Sequence, residues 1–316
     1  MGDTEEERIS RSLDEKEYGM QRMTDLAWEA KEMGEASGEL QGVRALEETY
    51  LGLPLTRVEI LDARGARSLG KPCGTYVTLA LESLQRWELN EIRKGAAALA
   101  GQLRLLLPKD SKAPILVIGL GNSAITSDAI GPKTMESILV TRHLVRELPE
   151  SFGTFREVAA LTVGVLGSTG LESGELVRAA VDHIHPACVI AVDALAARAL
   201  GRVCTTIQLA NTGITPGSGV GNHRMALSSE TLGVPVLALG VPTVVQAATL
   251  CADLLEELGQ NEFDSSLFQD VVGGALFVTP KDIDSRVKSL SHVLGLGISM
   301  ALQVDLSAED VEALLH

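Results

Sequence analysis

Short apolar runs near residues 115–120, 158–166, 187–192, 204–209 and 234–240 recur along the second part of this chain, with helical patterns between most of them. Runs of that length, bounded by glycine-rich turns, read as buried strands. Strands that alternate with helices form βαβ units, with parallel pairing and right-handed crossovers. A parallel sheet is covered on both faces, so its strands are apolar throughout rather than alternating. Composition supplies the material. Hydrophobic residues make up 45% of the 316 residues and aromatics only 3%, so the core is built from Ala, Val, Leu and Ile. The 31 glycines suit tight turns between elements. The expected architecture is α/β: three αβα layers around a mostly parallel central sheet.

Smaller elements precede that region. Residues 1–25 are polar and charged with no period that could bury a face, and read as a flexible N-terminal extension. A helical stretch follows over roughly 26–48, then β-like runs at Arg57–Leu61 and Thr75–Leu81 around the turn Gly70-Lys-Pro-Cys-Gly74. Residues 87–107 form a Leu/Ala-rich helix stopped by Pro108. These are small N-terminal β and helical additions to a single domain spanning 26–316. Near the end, Thr279-Pro280-Lys281-Asp282 offers an N-cap, a proline at the first helical position and an acid at the third. The helix it starts buries Ile283, Val287, Leu290, Leu294, Ile298 and Leu302. Asn261–Val271 reads as a loop.

Charge and cysteine content narrow the function. A net charge of −15 argues against direct nucleic-acid binding, which needs clustered Lys and Arg. The four cysteines form no C-x-x-C pair and suggest neither disulfides nor zinc. The acidic start has no apolar h-region, and no uncharged run is long enough to span a membrane. A cytoplasmic location is expected.

Two aspartates, Asp128 and Asp193, lie just beyond apolar strand-like runs. Open parallel sheets bind ligands at the carboxyl ends of their strands. Two carboxylates brought to that edge are candidates for paired acid/base chemistry. Each also has a structural reading: Asp128 as N-cap of a helix starting near Pro132 or as a turn residue, Asp193 as cap of an Ala-rich helix over 194–200. Gly119-Leu-Gly121-Asn-Ser-Ala124 matches the dinucleotide fingerprint, but Gly131-Pro132 breaks the chain before the usual long helix can grow. The loop Asn211–Asn222 exposes backbone N–H groups that could cradle an anion or hold an extended peptide. Gly217, Ser218, Gly219 and Asn222 are its candidate binding positions, with Arg224 beyond it to meet an acidic group. The loop lacks the P-loop lysine. Glu172 suits a first helical turn. His183 and His185, two apart and without a third histidine nearby, are poor evidence for metal. No G-x-S-x-G elbow supports a serine triad.

Together these motifs resemble the germination protease family of spore-forming bacteria. The resemblance rests on Thr24-Asp-Leu-Ala-Trp-Glu-Ala30, Gly121–Pro132, Asp193-Ala-Leu-Ala-Ala-Arg198, Thr212–Asn222, Gly240-Val-Pro-Thr-Val-Val245 and Phe277–Asp284. It runs from near residue 22 to near 302. It implies an endopeptidase that degrades small acid-soluble spore proteins during germination in the spore core. It further implies a homotetramer without metal or other cofactor, made as a zymogen that processes itself near the N-terminus. The fold is implied to be related to the hydrogenase-maturation proteases. The family's two implicated aspartates fall on Asp128 and Asp193, and its acid–apolar–Ala substrate motif falls on Asp25-Leu26-Ala27. Self-cleavage between Asp25 and Leu26 would release residues 1–25 as a propeptide. Three positions depart from the family pattern: Met23 interrupts the usual Arg-Thr junction, Ser127 replaces a common proline and Gln246 stands where an acid is usual. Two other readings stand beside this one. One is a metal-sensing peptidase of the hydrogenase-maturation type; the other is a non-catalytic nucleotide-binding α/β protein using the Gly119–Ala124 turn.

Overall fold

The computed structural model of the chain describes residues 24–37, 41–84, 87–109, 112–217, 224–258 and 276–315. Helix α1 (Ala27–Ser37) is followed by β1 (Val43–Tyr50), β2 (Leu53–Ile60) and α2 (Ala63–Leu69). Strand β3 (Gly74–Ala80) leads to the long helix α3 (Leu89–Leu106). The alternating region opens with β4 (Ile115–Leu120), α4 (Ile130–Met135), β5 (Val158–Gly164) and α5 (Ser173–Ile184). Strands β6 (Cys188–Ala197), β7 (Thr206–Ala210) and β8 (Val236–Gln246) come next. Helix α6 (Ala247–Glu257), the short β9 (Phe277–Val278), α7 (Ile283–Leu302) and α8 (Ala308–Leu315) follow.

The strands form one sheet in the order β1-β2-β3-β7-β8-β6-β4-β5, with β9 paired to the end of β8. Strands β8, β6, β4 and β5 are mutually parallel. Strand β7 joins β8 antiparallel, and β3, β2 and β1 continue antiparallel to the edge. The N-terminal strands therefore extend the main sheet instead of standing beside it. Every residue of β4 is buried, as a parallel strand covered on both faces requires. On one face Ile115, Val117, Ile190 and Ile207 pack with Leu99 and Leu103 of α3, Ile130 of α4, and Leu290 and Leu294 of α7. On the other, Leu116, Ile118, Val189 and Ala191 meet Val177 and Val181 of α5. That second face also carries α1, whose Ala27 and Ala30 pack with Val58, Tyr76, Ala210 and Ala238. The αβα layering expected from the alternation is the one observed.

Two local expectations fail for identifiable reasons. Residues 43–48 belong to β1, not to a helix running from 26 to 48. Leu51 and Gly52 both take positive φ, 49° and 71°, between the paired residues Tyr50 and Leu53. That is a two-residue turn of the primed type, whose twist favours a hairpin. Pairing with β2 overrides the helical preference of Ala45, Leu46, Glu47 and Glu48. Helix α7 starts at Ile283 with Asp282 as its N-cap and no side-chain capping bond. Thr279, expected as the cap, instead donates its hydroxyl to the Thr243 carbonyl at 2.8 Å, which ties this segment to β8. The expected loop at 261–271 and most of the 1–25 extension lie outside the described residues. Among those described, no helix is long and apolar enough to cross a membrane.

Candidate active site

Asp128 is placed by a compact turn between β4 and α4. The chain leaves β4 at Gly121 (φ 109°) and forms a single 3-10 turn over Thr126–Asp128. The Asn122 N–H donates both to the Asp128 carbonyl at 3.0 Å and to its Oδ2 at 2.8 Å. The Asp128 N–H donates to Ile125 O at 2.8 Å. Side chains pin the turn from outside: Thr243 donates to Ser127 O at 2.6 Å, and Thr126 to Asp284 Oδ1 at 2.8 Å. Gly131 lets α4 lie directly on the sheet, since a Cβ there would stand 2.5 Å from Leu120 N and 2.6 Å from Val192 O. The glycines that resemble a dinucleotide fingerprint thus serve backbone packing. A Cβ at Gly119 would stand 2.5 Å from Gly131 O and one at Gly121 2.1 Å from Asp128 O, so these two, with Gly131, allow the Asp128 turn to close on β4 and β6.

Asp193 sits inside β6, in register with Gly240 of β8. The expected helix over 194–200 is absent because β6 continues to Ala197, paired with Val245. Nor does Asp128 cap a helix: α4 starts at Ile130, with Ala129 in the cap position. Asp193 is 6% exposed, and its Oδ1 accepts the Ala194 N–H at 2.9 Å. Burial pushes its carboxyl well above the usual range, and the Asp128 charge pushes the same way. Asp128 is also raised, chiefly by burial, while the Asn122 N–H and Arg224 pull it down. Arg224 lowers Asp193 too. Both carboxylates line one cavity of about 310 Å³, with Gly217, Arg224, Thr243 and Phe277 around them. Two carboxyls lining one cavity, each held above its usual range, are candidates for a pair in which one stays protonated.

The Asp25 segment is docked beside this cavity. The Asp25 N–H donates to Ala196 O at 3.0 Å, and the Ala196 N–H donates back to Asp25 Oδ2 at 2.8 Å. Ala196 lies on β6 three residues beyond Asp193 and lines the carboxylate cavity. Leu26 and Ala27 are both wholly buried. Glu29, 2% exposed, accepts the N–H groups of Arg198 at 2.7 Å and Ala199 at 2.9 Å as well as the Thr24 hydroxyl. Arg202 stands 3.5 Å from Glu29 and lies over the Trp28 ring at 3.7 Å. A second cavity, about 560 Å³, is lined by Asp25, Lys71, Tyr76, Gln208 and Gly240. Leu195 lines both cavities.

The sequence profile described as germination protease matches residues 21–266. The chain belongs to the germination protease family. It is 42% identical to the germination protease of Caldanaerobacter subterraneus subsp. tengcongensis, over 93% of this chain and 98% of that one. It is 40% identical to the germination protease of Clostridium perfringens (strain ATCC 13124), with the same shares covered. Among solved structures, the NiFe hydrogenase maturation protease HycI of Thermococcus kodakarensis KOD1 aligns over 62% of this chain and 98% of that one. Its identity is 17% and its TM-score 0.34, a remote likeness. Membership of the germination protease family makes the chain a protease.

Of the sequence-derived candidates, Asp128, Asp193, Gly217 and Arg224 share the cavity, and Asp25 and Leu26 are docked next to it. Ser218, Gly219 and Asn222 lie outside the described residues. His183 and His185 are exposed at the end of α5. Among the described residues, no group of three or more His, Cys, Asp and Glu is placed to hold a metal ion. Glu172 is the N-cap of α5, in a capping box with Glu175, one position before the first turn expected for it. Sequence reasoning missed Lys71, Gln208 and Glu29. The only signal for Gln208 was an amide inside the apolar run Thr206-Ile-Gln-Leu-Ala210.

Proposed function

We propose that this member of the germination protease family is an endopeptidase that begins the breakdown of small acid-soluble spore proteins in the spore core. It cuts after an acidic residue that precedes an apolar–Ala pair. It is made as a zymogen that removes residues 1–25, leaving a domain that starts at Leu26, and it works as a homotetramer. The pair of carboxylates in one cavity, both biased toward the neutral form, carries this reading. The ionised member of the pair takes a proton from water as the oxygen attacks the scissile carbonyl. The protonated member gives its proton to the departing amide nitrogen. Arg224 keeps one carboxyl ionisable in an otherwise acid-raising site. The docking of Asp25-Leu26-Ala27 on β6 supports the sequence preference, because that segment has the acid–apolar–Ala pattern.

The test is the intact mass of the purified full chain over time, with and without a small acid-soluble spore protein, for wild type, Asp128→Asn and Asp193→Asn. Loss of residues 1–25 and cleavage of the added protein after acidic residues are expected in wild type alone. A fully active Asn variant at either position removes that residue from the mechanism.

A further inference from the structure

Gln208 grips the main chain on both sides of residue 26. Its Nε2 donates to the Asp25 carbonyl at 2.8 Å, and its Oε1 accepts the Ala27 N–H at 2.6 Å. The reversed amide would set donor against donor and acceptor against acceptor, so the side chain accepts this segment in one register only. Lys71 adds a second donor to the same oxygen. Its Nζ lies 3.0 Å from Asp25 O and 3.4 Å from Thr24 O. The carbonyl of the Asp25–Leu26 bond is therefore held between an amide N–H and an ammonium.

Sheet geometry relates this grip to the carboxylates. Gln208 pairs with Gly240 across β7 and β8, and Gly240 pairs with Asp193 across β8 and β6. Residues directly opposite in a sheet face the same side, and neighbouring strands lie about 4.8 Å apart. Gln208 and Asp193 thus rise from one face, about 10 Å apart at their Cα atoms, across a residue without a side chain. The Asp25 charge also raises the Asp193 carboxyl, so the two lie within electrostatic reach.

We propose that Lys71 and Gln208 are positioning residues for self-cleavage, holding the Asp25 carbonyl oxygen in an anion-binding pocket that takes up the charge formed when water adds to its carbon. This rests on the reading that the chain cuts its own Asp25–Leu26 bond. In that step the water oxygen bonds to the Asp25 carbonyl carbon, and one water proton passes to a carboxylate of the pair. The carbonyl oxygen carries the negative charge until the C–N bond breaks and the Leu26 nitrogen takes a proton. The products are the Asp25 carboxylate and the Leu26 amine. Preorganised donors aimed at such an oxygen are commonly worth factors of about 10²–10³ in rate. The segment's own side chains set its place: the Ala196 N–H holds the acid, and Leu26 fills the core.

Loss of charge at Lys71 gives a second signature. Removal of its ammonium from water lowers its pKa, with Asp25 and Glu29 acting in the opposite direction. Loss of that charge therefore adds to the slowing that follows, as pH rises, from loss of the carboxyl pair's own proton.

The experiment follows loss of residues 1–25 by intact mass in the full chain, for wild type, Lys71→Met, Lys71→Arg and Gln208→Leu, with melting temperatures recorded for each. Slowing of about 100-fold in Lys71→Met and Gln208→Leu is expected. Lys71→Arg should recover most of the rate and move the alkaline limb to higher pH, an effect that a packing role for Lys71 would not produce. Wild-type rates in folded Lys71→Met and Gln208→Leu overturn the proposal while leaving the self-cleavage reading intact. Should a variant unfold, Lys71→Arg alone decides: an alkaline limb unchanged from wild type overturns the role of Lys71. A wild-type chain that stays whole, or is cut elsewhere, overturns both.

Discussion

Gly131→Ala and Gly167→Ala are the same chemical change at two helical positions, and the structure assigns them opposite signs. At Gly131 an added Cβ would lie 2.5 Å from Leu120 N and 2.6 Å from Val192 O, backbone atoms of two adjacent strands. The nearest atom, Leu120 O, would lie 2.2 Å away; ordinary contact begins near 3.4 Å, so α4 must move off the sheet by about 1.2 Å, and no side-chain rotation can relieve it. Overpacking of this kind costs about 1–3 kcal/mol, which outweighs the helical preference of Ala over Gly, about 1 kcal/mol at most. At Gly167, in the short helix Leu166–Thr169, nothing lies within 4 Å, and only the preference remains. Stability there should rise by about 0.4–1 kcal/mol. An unfolding entropy of about 2.1 cal/mol/K per residue gives about 0.7 kcal/mol/K for 316 residues. Gly131→Ala should therefore melt lower by about 1.5–4 °C, and Gly167→Ala higher by about 1 °C. Because α4 follows the Asp128 turn directly, that carboxylate moves with it. A misplacement near 1 Å can lower a rate about 100-fold. Calorimetry paired with a peptide-cleavage assay reads both effects. A Gly131→Ala protein that melts and cleaves like wild type would refute the close packing of α4 on β4 and β6.

Other outcomes follow from the same geometry. Asp193 has a raised folded pKa, so its favourable contribution is complete below the unfolded value and is lost as pH rises through the folded one. Asp193→Asn should thus match wild-type stability near pH 4 and exceed it progressively above, in urea melts across that range; a pH-independent difference contradicts the burial of that charge. Arg224→Gln removes a positive charge felt by both carboxyls, so the acid limb of the cleavage profile should shift to higher pH. An unmoved limb would place Arg224 out of electrostatic contact. Leu26→Ala in the full chain should cost about 2–5 kcal/mol, the range for deleting a wholly buried Leu side chain. A loss below about 1 kcal/mol in chemical unfolding would mean that Leu26 is not part of the core.

The parallel half of the sheet was legible because each of its strands must be apolar on both faces. Runs such as Ile115–Leu120 can hardly be read otherwise. The hairpin of β1 and β2 was not, since β1 is an exposed edge whose Ala, Leu and Glu residues match a helix equally well. Its pairing is decided by the two-residue turn at Leu51-Gly52 and by the neighbour it meets. Asp128 and Asp193 could be singled out as candidates because strand ends collect ligands in open sheets, but Asp193 lies within a strand that continues past it. That continuation depends on β8, a pairing no local pattern encodes. Gln208 and Lys71 escaped notice for the same reason: their partners in the Asp25 segment are more than forty residues away in sequence.

The burial of Leu26 and Ala27 bears on whether a cut at this bond could be undone. An intact peptide is neutral, and here its oxygen is satisfied by Gln208 and Lys71. Hydrolysis would replace it with two ions. The new ammonium would arise on Leu26, a residue with no exposure, next to the ammonium of Lys71 that had served the carbonyl. Like charges in a site stripped of water repel strongly. The new Asp25 carboxylate would keep its contacts with Lys71 and Gln208, so the repulsion would fall on the Leu26 end alone and the severed ends would part. Self-cleavage would then behave as a ratchet: the pocket that prepares the bond keeps the acid end and drives off the amine end.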